Sequence, residues 1–397
     1  LVKNNDVNRG CGSESEADPK DIGLKRIGKI YESICSVENL ELADKKARKG
    51  KGNNYGIRRH DKKRAANILR IRNMLLYKKY ISREYDIIKI FEPKERDVYR
   101  CSYYPHRIID HAILNYLENV FTKMFTADTY SCVKGKGIHG AFYAVKRALR
   151  DVPGTQYCLK LDIRKFYPNV DHDILKQLLR RKIKDNDLLW LLDVIIDSAP
   201  GLPIGNYLSQ YLANFYLTGF DHWLKEVKRV KYYFRYADDL VILSPDKESL
   251  HQLLTDITSY LKDVLRLEVK NNHQVFPVDV RGLDFVGYVF RHTHIRVRKR
   301  IKQSCARKLK KSTNPYAIAS YNGFLSHGNC RHLKKTLLLY EQMERPENTT
   351  ASRRTTLCGK EERHGRSSGP RNRNTRLPDR TIEISEQRLP PMLMDAD

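Results

Sequence analysis

Two adjacent carboxylates, Asp238-Asp239, lie between the apolar runs Lys231–Tyr236 and Leu240–Leu243. Those runs read as the strands of a hairpin with the acids at its tip. A tight hairpin favours Asn-Gly or Asp-Gly there, because both tolerate positive φ, and neighbouring carboxylates repel each other. The ordinary reading of such a pair is a solvated turn with two surface acids. A third carboxylate, 76 positions before Asp238, changes the weighing. Tyr157, Leu159, Leu161 and Ile163 alternate with Cys158, Lys160 and Asp162, the two-residue period of a half-buried strand that points Asp162 away from its apolar face. Three acids gathered in a chain of net charge +27 need a cation. Oxygen ligands with no His or Cys beside them suit Mg²⁺, which takes few carboxylates and shares its remaining positions with substrate phosphates. Two such ions about 3.5–4 Å apart would clamp the attacking and leaving oxygens of a phosphoryl transfer. That is the chemistry of a polymerase or a nuclease.

The elements that must position these acids are legible. Ile174, Leu175, Leu178, Leu179 and Ile183 mark a helix; Leu208, Tyr211, Leu212, Phe215 and Tyr216 mark a second, with Gly205-Asn206 at its start. A further helix, Leu250–Leu265, follows the hairpin. The order β-α-α-β-β predicts an α+β fold, a small antiparallel sheet with helices on one face in a split βαβ arrangement.

The 397 residues, 41% hydrophobic and 10% aromatic, suffice for a sizeable core in two to three domains. Lys and Arg number 74 against 47 Asp and Glu, which implies a polyanionic partner, nucleic acid before membrane surface. No run approaches the ~20 apolar residues of a membrane span, and the first residues hold no apolar signal-peptide core. Eight scattered cysteines without a CxxC pair read as reduced thiols, and His139, His172 and His327 lack metal-ligand spacing. A cytoplasmic protein is expected. Ten of the 21 residues from Asp44 to Arg64 are Lys or Arg, and a helical pattern follows over Leu69–Tyr80. Ten of 21 are again basic from Arg291 to Lys311, with no acid; there His294–Val297 reads as a strand and Lys302–Lys311 as a helix. Solvated helices mix signs, so both blocks are expected to grip a phosphate backbone. Residues 1–22 are a polar, disordered lead-in; residues 343–397, with no aromatic residue, are a disordered tail.

Three stretches, Leu161-Asp162-Ile163-Arg164-Lys165-Phe166-Tyr167, Gly201-Leu202-Pro203-Ile204-Gly205-Asn206-Tyr207-Leu208-Ser209-Gln210 and Tyr236-Ala237-Asp238-Asp239, resemble in order the palm motifs of reverse transcriptases. Ile204-Gly205 and Ser209-Gln210, where most of that family has Gln-Gly and Ser-Pro, resemble the reverse transcriptases of diversity-generating retroelements, bacterial or phage-encoded. Tyr130–Gly137, Gln274–Val278, Gly282–Tyr288 and Ser320–Phe324 with His327 agree with that subgroup.

The resemblance covers residues 25–342. It implies a right-hand polymerase: N-terminal helices and fingers at 23–155, a palm at 156–290 and a helical thumb at 291–342. Asp162 and Asp238 would bind two Mg²⁺ ions, with Asp239 completing the site and the Ile163 carbonyl assisting. Tyr167 would lie under the incoming sugar and exclude a 2′-OH. Gly205 would let backbone approach the nucleotide, with Ser209 and Gln210 behind it, and Ile204 replaces a polar contact near the base pair. Arg96 and Arg107 would hold triphosphate oxygens, with Lys134 a further candidate. Lys270 falls a few positions from the place of a family lysine that protonates pyrophosphate and is given no role. Implied partners are template RNA, a primer extended into cDNA, dNTPs and a small basic accessory protein. The alternatives are a group II intron, retron or defence-associated reverse transcriptase, or a catalytically silent RNA-binding scaffold; the intact acids disfavour the last.

Overall fold

The structure is a computed structural model that describes residues 26–52, 54–81, 84–91, 95–311 and 315–335. The expected lead-in at 1–22 and tail at 343–397 lie outside the described residues. The chain divides into two compact units. One holds the described residues up to Lys302 together with His327–Asn329; the other holds Gln303–Ser326 and the described residues from Cys330.

The first unit opens with helices. Ser36 caps Val37–Ala47 by accepting from the Asn39 N–H, and Leu40, Ala43 and Ala47 are buried on one face. Tyr55–Asp61 follows, capped by Asn54, and then Arg64–Leu76 with Ile68, Ile71 and Leu75 inside. The last of these was expected over Leu69–Tyr80. It starts earlier and stops at Leu76, because Lys78 turns left-handed at φ 52° and breaks the repeat. Next comes an antiparallel hairpin of β1 (Tyr85–Ile90) and β2 (Arg96–Cys101). The long helix Ile108–Met124 buries Ile109, Ala112, Ile113, Leu117 and Phe121. It is tied to the first helix by the Asn39 side-chain amide, which donates to the Ala112 carbonyl.

The central sheet joins β3 (Tyr157–Asp162), β4 (Tyr232–Tyr236), β5 (Asp239–Ser244) and β6 (Gln274–Pro277) in the order β4-β5-β3-β6, every ladder antiparallel. Leu159 and Leu161 are buried as their alternation requires. Cys158, expected on the open face, is fully buried too, since β3 is an inner strand paired on both edges. Between β3 and β4 run three helices of ten or more residues, His172–Lys182, Asn186–Ile196 and Tyr207–Tyr216, where the pattern predicted two. The unexpected one, Asn186–Ile196, buries Leu188, Leu189, Leu191, Leu192, Ile195 and Ile196 at helical spacing on one face. Lys247–Leu265 follows β5, capped by Asp246, with Leu250, Ile257, Leu261 and Leu265 inside. A second, three-stranded antiparallel sheet comprises β7 (Leu283–Phe285), β8 (Tyr288–Phe290) and β9 (Ile295–Val297). The helix expected at Lys302 begins at Lys299, and Pro315–Leu325 adds another in the second unit. The fold is α+β with antiparallel sheets, as the element order required.

Candidate active site

The register of the central sheet brings the acids together. Asp162, the last residue of β3, pairs with Asp239, the first of β5, which in turn pairs with Tyr236 on β4. The hairpin tip is therefore Ala237-Asp238 and not the Asp-Asp that the strand boundaries suggested; Asp239 already belongs to the ladder. Ala237 takes φ 54°, a left-handed conformation that disfavours a Cβ. The Ile163 N–H donates to the Asp238 carbonyl at 3.2 Å, which fixes the turn against the end of β3. Burial raises the Asp238 carboxyl to about 7, and the charge and hydrogen bonding of Asp162 add to the rise. Asp239 is raised to about 6, again chiefly by burial, with the Lys160 charge opposing and Asp162 reinforcing it.

Lysines neutralise two of the three. Lys270 Nζ lies 3.0 Å from Asp162 Oδ2, and the Lys270 N–H donates to the Asp162 carbonyl at 2.9 Å, so Val269-Lys270 extends the sheet past Ile163. Lys160, two residues before Asp162 and on the same face, stands 3.4 Å from Asp239 Oδ2 and also donates to the Asp284 carbonyl. Arg298 holds the Asp284 carboxylate. Lys160 passed unremarked as a site residue in the sequence, although the period of β3 placed it beside Asp162.

The donor set fits a hard divalent cation. Asp239 keeps 31% of its side-chain surface open, yet its Oδ1 is buried without a hydrogen-bond partner, an acceptor such an ion would satisfy. Two carboxyls pushed up chiefly by burial, with the Asp162 charge reinforcing both, point the same way. Among the described residues no three acid, His or Cys side chains stand as a ready-made metal cage.

The loop between Asn186–Ile196 and Tyr207–Tyr216 packs on the turn that follows β3. Tyr167 opens a short 3₁₀ turn after β3, half-buried, with its ring edge-on to Phe166. Its carbonyl accepts from the Leu202 N–H at 2.8 Å. That contact is possible because Gly201, at φ 59°, has no Cβ; one would fall 2.4 Å from the Tyr167 and Pro168 carbonyl oxygens. His172 donates to the Gly201 carbonyl, the structural role expected of it. Gly205, at φ 109°, is exposed and also makes a close approach within the chain. It lies against β2, where a Cβ would sit 3.1 Å from the Tyr99 carbonyl oxygen and from Val98, while the Tyr99 N–H donates to the Ile204 carbonyl. Ser209 is buried and Gln210 half-buried on the helix that follows.

Residues 93–290, which span all of this, match the family described as reverse transcriptase (RNA-dependent DNA polymerase). The chain carries a reverse transcriptase domain. The chain is 25% identical over 256 residues to protein YkfC of Escherichia coli strain K12, covering 52% of this chain and 67% of YkfC. It is also 25% identical over 167 residues to the group II intron-encoded protein LtrA of Lactococcus lactis subsp. cremoris, covering 39% of this chain and 27% of LtrA. A 91 kDa protein in the cob intron of Schizosaccharomyces pombe is 23% identical over 133 residues, 31% of this chain and 16% of that one. The chain thus spans two thirds of YkfC but only about a quarter of LtrA. The matched segment is an RNA-directed DNA polymerase domain with a palm and fingers fold, of a family that works with divalent metal ions.

The remaining residues singled out in the reverse transcriptase domain stand apart from the acids. Arg96 opens β2, exposed; Arg107 ends the turn before Ile108–Met124, half-buried. Among the described residues no hydrogen bond or ion pair joins either to the three aspartates. Lys134 is exposed. The basic blocks are less free than their composition implied. Arg48 and Arg64 clamp Asp44, which is buried with His60 and Tyr103. Burial opposes ionisation of Asp44, but hydrogen bonds from His60, Arg48, Tyr103 and Arg64 outweigh it and hold the carboxyl far below its usual range. In the second block Arg291 donates to the Asp279 and Arg281 carbonyls and Arg298 pairs with Asp284. No helix among the described residues is long and apolar enough to cross a membrane.

Proposed function

We propose that this protein is a reverse transcriptase that extends a primer into cDNA on an RNA template by two-metal nucleotidyl transfer. The observation that carries the reading is the pairing of Asp162 with Asp239 beside the Asp238 turn, with Asp239 Oδ1 buried and unpartnered. Asp162 and Asp238 would hold two Mg²⁺ ions, with Asp239 and the Ile163 carbonyl completing their shells. Bound Mg²⁺ supplies neutralising charge to the primer 3′-oxygen and to the leaving pyrophosphate. The chain's own groups do the rest. Tyr167 lies under the sugar and excludes a 2′-OH. Gly205, Ser209 and Gln210 shape the nucleotide pocket, and Arg96 and Arg107 draw in the triphosphate. Lys270, at Asp162, is placed to give a proton to pyrophosphate. Fingers, helical thumb and palm are assigned to 23–155, 291–342 and 156–290, and the exposed lysines and arginines of both basic blocks grip the hybrid backbone.

Ile204-Gly205 and Ser209-Gln210 favour a diversity-generating retroelement, with synthesis error-prone opposite template adenines, a locus RNA as template and a small basic accessory protein in the cytoplasm of a bacterium. The similarity to intron-encoded proteins favours a second reading, an intron-type reverse transcriptase. Primer extension with Mg²⁺, dNTPs and a mixed-sequence RNA template, followed by cDNA sequencing, separates them. Errors concentrated opposite adenine support the first; accurate cDNA supports the second. No cDNA, even with locus RNA and accessory protein, would leave a silent RNA-binding scaffold.

A further inference from the structure

Arg235, on β4 just before the catalytic turn, is fully buried, an unusual place for a guanidinium. Every one of its donors is used. Nε reaches Asp221 Oδ1 at 2.8 Å and Nη2 reaches Asp221 Oδ2 and, at 3.4 Å, Thr129 Oγ1. Nη1 donates to Asn214 Oδ1 at 2.9 Å and to the Ala237 carbonyl at 3.2 Å. Asp221, also buried, takes further bonds from Tyr233 Oη and Thr129 Oγ1. The Asn214 amide in turn donates to the Ser131 carbonyl. The backbone of Arg235 is held as well: its N–H donates to the Asp128 carbonyl, and its carbonyl accepts from the Tyr130 N–H.

Charge neutralisation explains the bond to Asp221 but not the one to Ala237. Ala237 is the residue at φ 54°, a conformation that an L-residue disfavours, and it immediately precedes Asp238. We propose that Arg235 is a positioning residue for the polymerase reaction: its guanidinium grips the Ala237 carbonyl and keeps the left-handed turn that presents Asp238 and Asp239. The planar fork matters. A lysine carries three donors on one nitrogen and cannot span Asp221 and the Ala237 carbonyl together. The inference rests on the polymerase reading above.

The test uses the full chain on an RNA template with a DNA primer. It measures the single-turnover incorporation rate, dNTP KM, hybrid Kd and Tm. Wild-type protein without incorporation, with locus RNA and accessory protein also supplied, overturns the polymerase reading and this role with it. With wild type active, Arg235→Lys is expected to lose at least 10-fold in rate with dNTP KM and hybrid Kd within twofold. Adding Ala237→Gly, which adopts the left-handed turn without a clamp, should recover at least threefold of that loss. Should Arg235→Lys not fold, Asp221→Leu with Arg235→Met, a neutral exchange of the buried pair, takes its place. Thr129→Val and Tyr233→Phe weaken the same network but leave the Ala237 bond, so they should lower Tm and keep the rate within twofold. A rate that falls with Tm alike in all these variants, or no recovery by Ala237→Gly, overturns the proposal.

Discussion

Asp162 and Asp239 face each other across β3 and β5, and each gives its Oδ2 to a lysine, Lys270 and Lys160 respectively. The centre therefore carries its own neutralising charges beside the acids. Asp162, Asp238 and Asp239 would hold a divalent cation only in competition with these two ammonium groups and with the protons that burial favours on Asp238 and Asp239.

Asp238→Asn separates catalysis from stability. The variant should lose at least 10³-fold in cDNA synthesis while hybrid affinity changes less than threefold. Asp238 rises from 3.8 to about 7 on folding, so the folded state holds the proton more tightly than the unfolded chain. Its stability contribution is complete below the unfolded value and is lost as pH rises through about 7. Asn carries no charge to lose. In EDTA the variant should exceed wild type by on the order of 2 kcal/mol at pH 8, a few degrees in Tm, and the gap should shrink to less than half by pH 5, closing only below the unfolded value of 3.8. Thermal unfolding at the two pH values checks this; a gap independent of pH removes the assignment.

Tyr167→Ala tests the sugar-gate role. Its backbone is held by Leu202, so truncating the ring leaves the loop tied. Discrimination between dNTPs and rNTPs, measured as the ratio of kcat/KM values, should fall at least 10-fold. Unchanged discrimination would assign Tyr167 to packing against Phe166 instead.

Ile204→Gln alters only a side chain, because the tie to β2 runs through the Ile204 carbonyl. Restoring a polar group near the base pair should lower misincorporation opposite template adenine several-fold. Sequenced cDNA with an unchanged error spectrum would refute that role for Ile204.

Gly201→Ala places a Cβ against two backbone oxygens at an unfavourable φ. Neither carbonyl is the end of a flexible side chain, so the loop must move. A loss of ~2–4 kcal/mol in stability is expected, on the scale of other strained-backbone substitutions, with a lower synthesis rate. Urea unfolding gives the first quantity, and a loss below 1 kcal/mol would mean the loop shifts freely.

The local periods of this chain were written in its sequence. The alternation of Leu159, Leu161 and Ile163, the apolar runs flanking Asp238 and the helical spacing of Leu208 to Tyr216 each reflect contacts within a few residues, which side-chain pattern records directly. The three acids and the antiparallel α+β fold followed. What pairing decides was not legible. Asp239 looked like half of a turn; the ladder to Tyr236 and Asp162 makes it a strand residue and leaves Ala237 to take the strained position.

Long-range partners were the other gap. Arg48 and Arg64 read as part of a block that grips a phosphate backbone, yet they clamp the buried Asp44, and Arg235, which the sequence did not single out, is buried against Asp221; only folding supplies these partners. The approach of β2 to Gly205 was likewise invisible in the sequence. Asn186–Ile196 was missed although Leu188, Leu191, Leu192 and Ile195 follow the helical repeat, a signal the sequence did carry. The sequence by itself determined which residues could do the chemistry and which segments were helix or strand, since both depend on residue type and near spacing. The tertiary structure alone decided which charges meet, because a register or an ion pair between residues 77 or 108 positions apart is selected by packing the whole core.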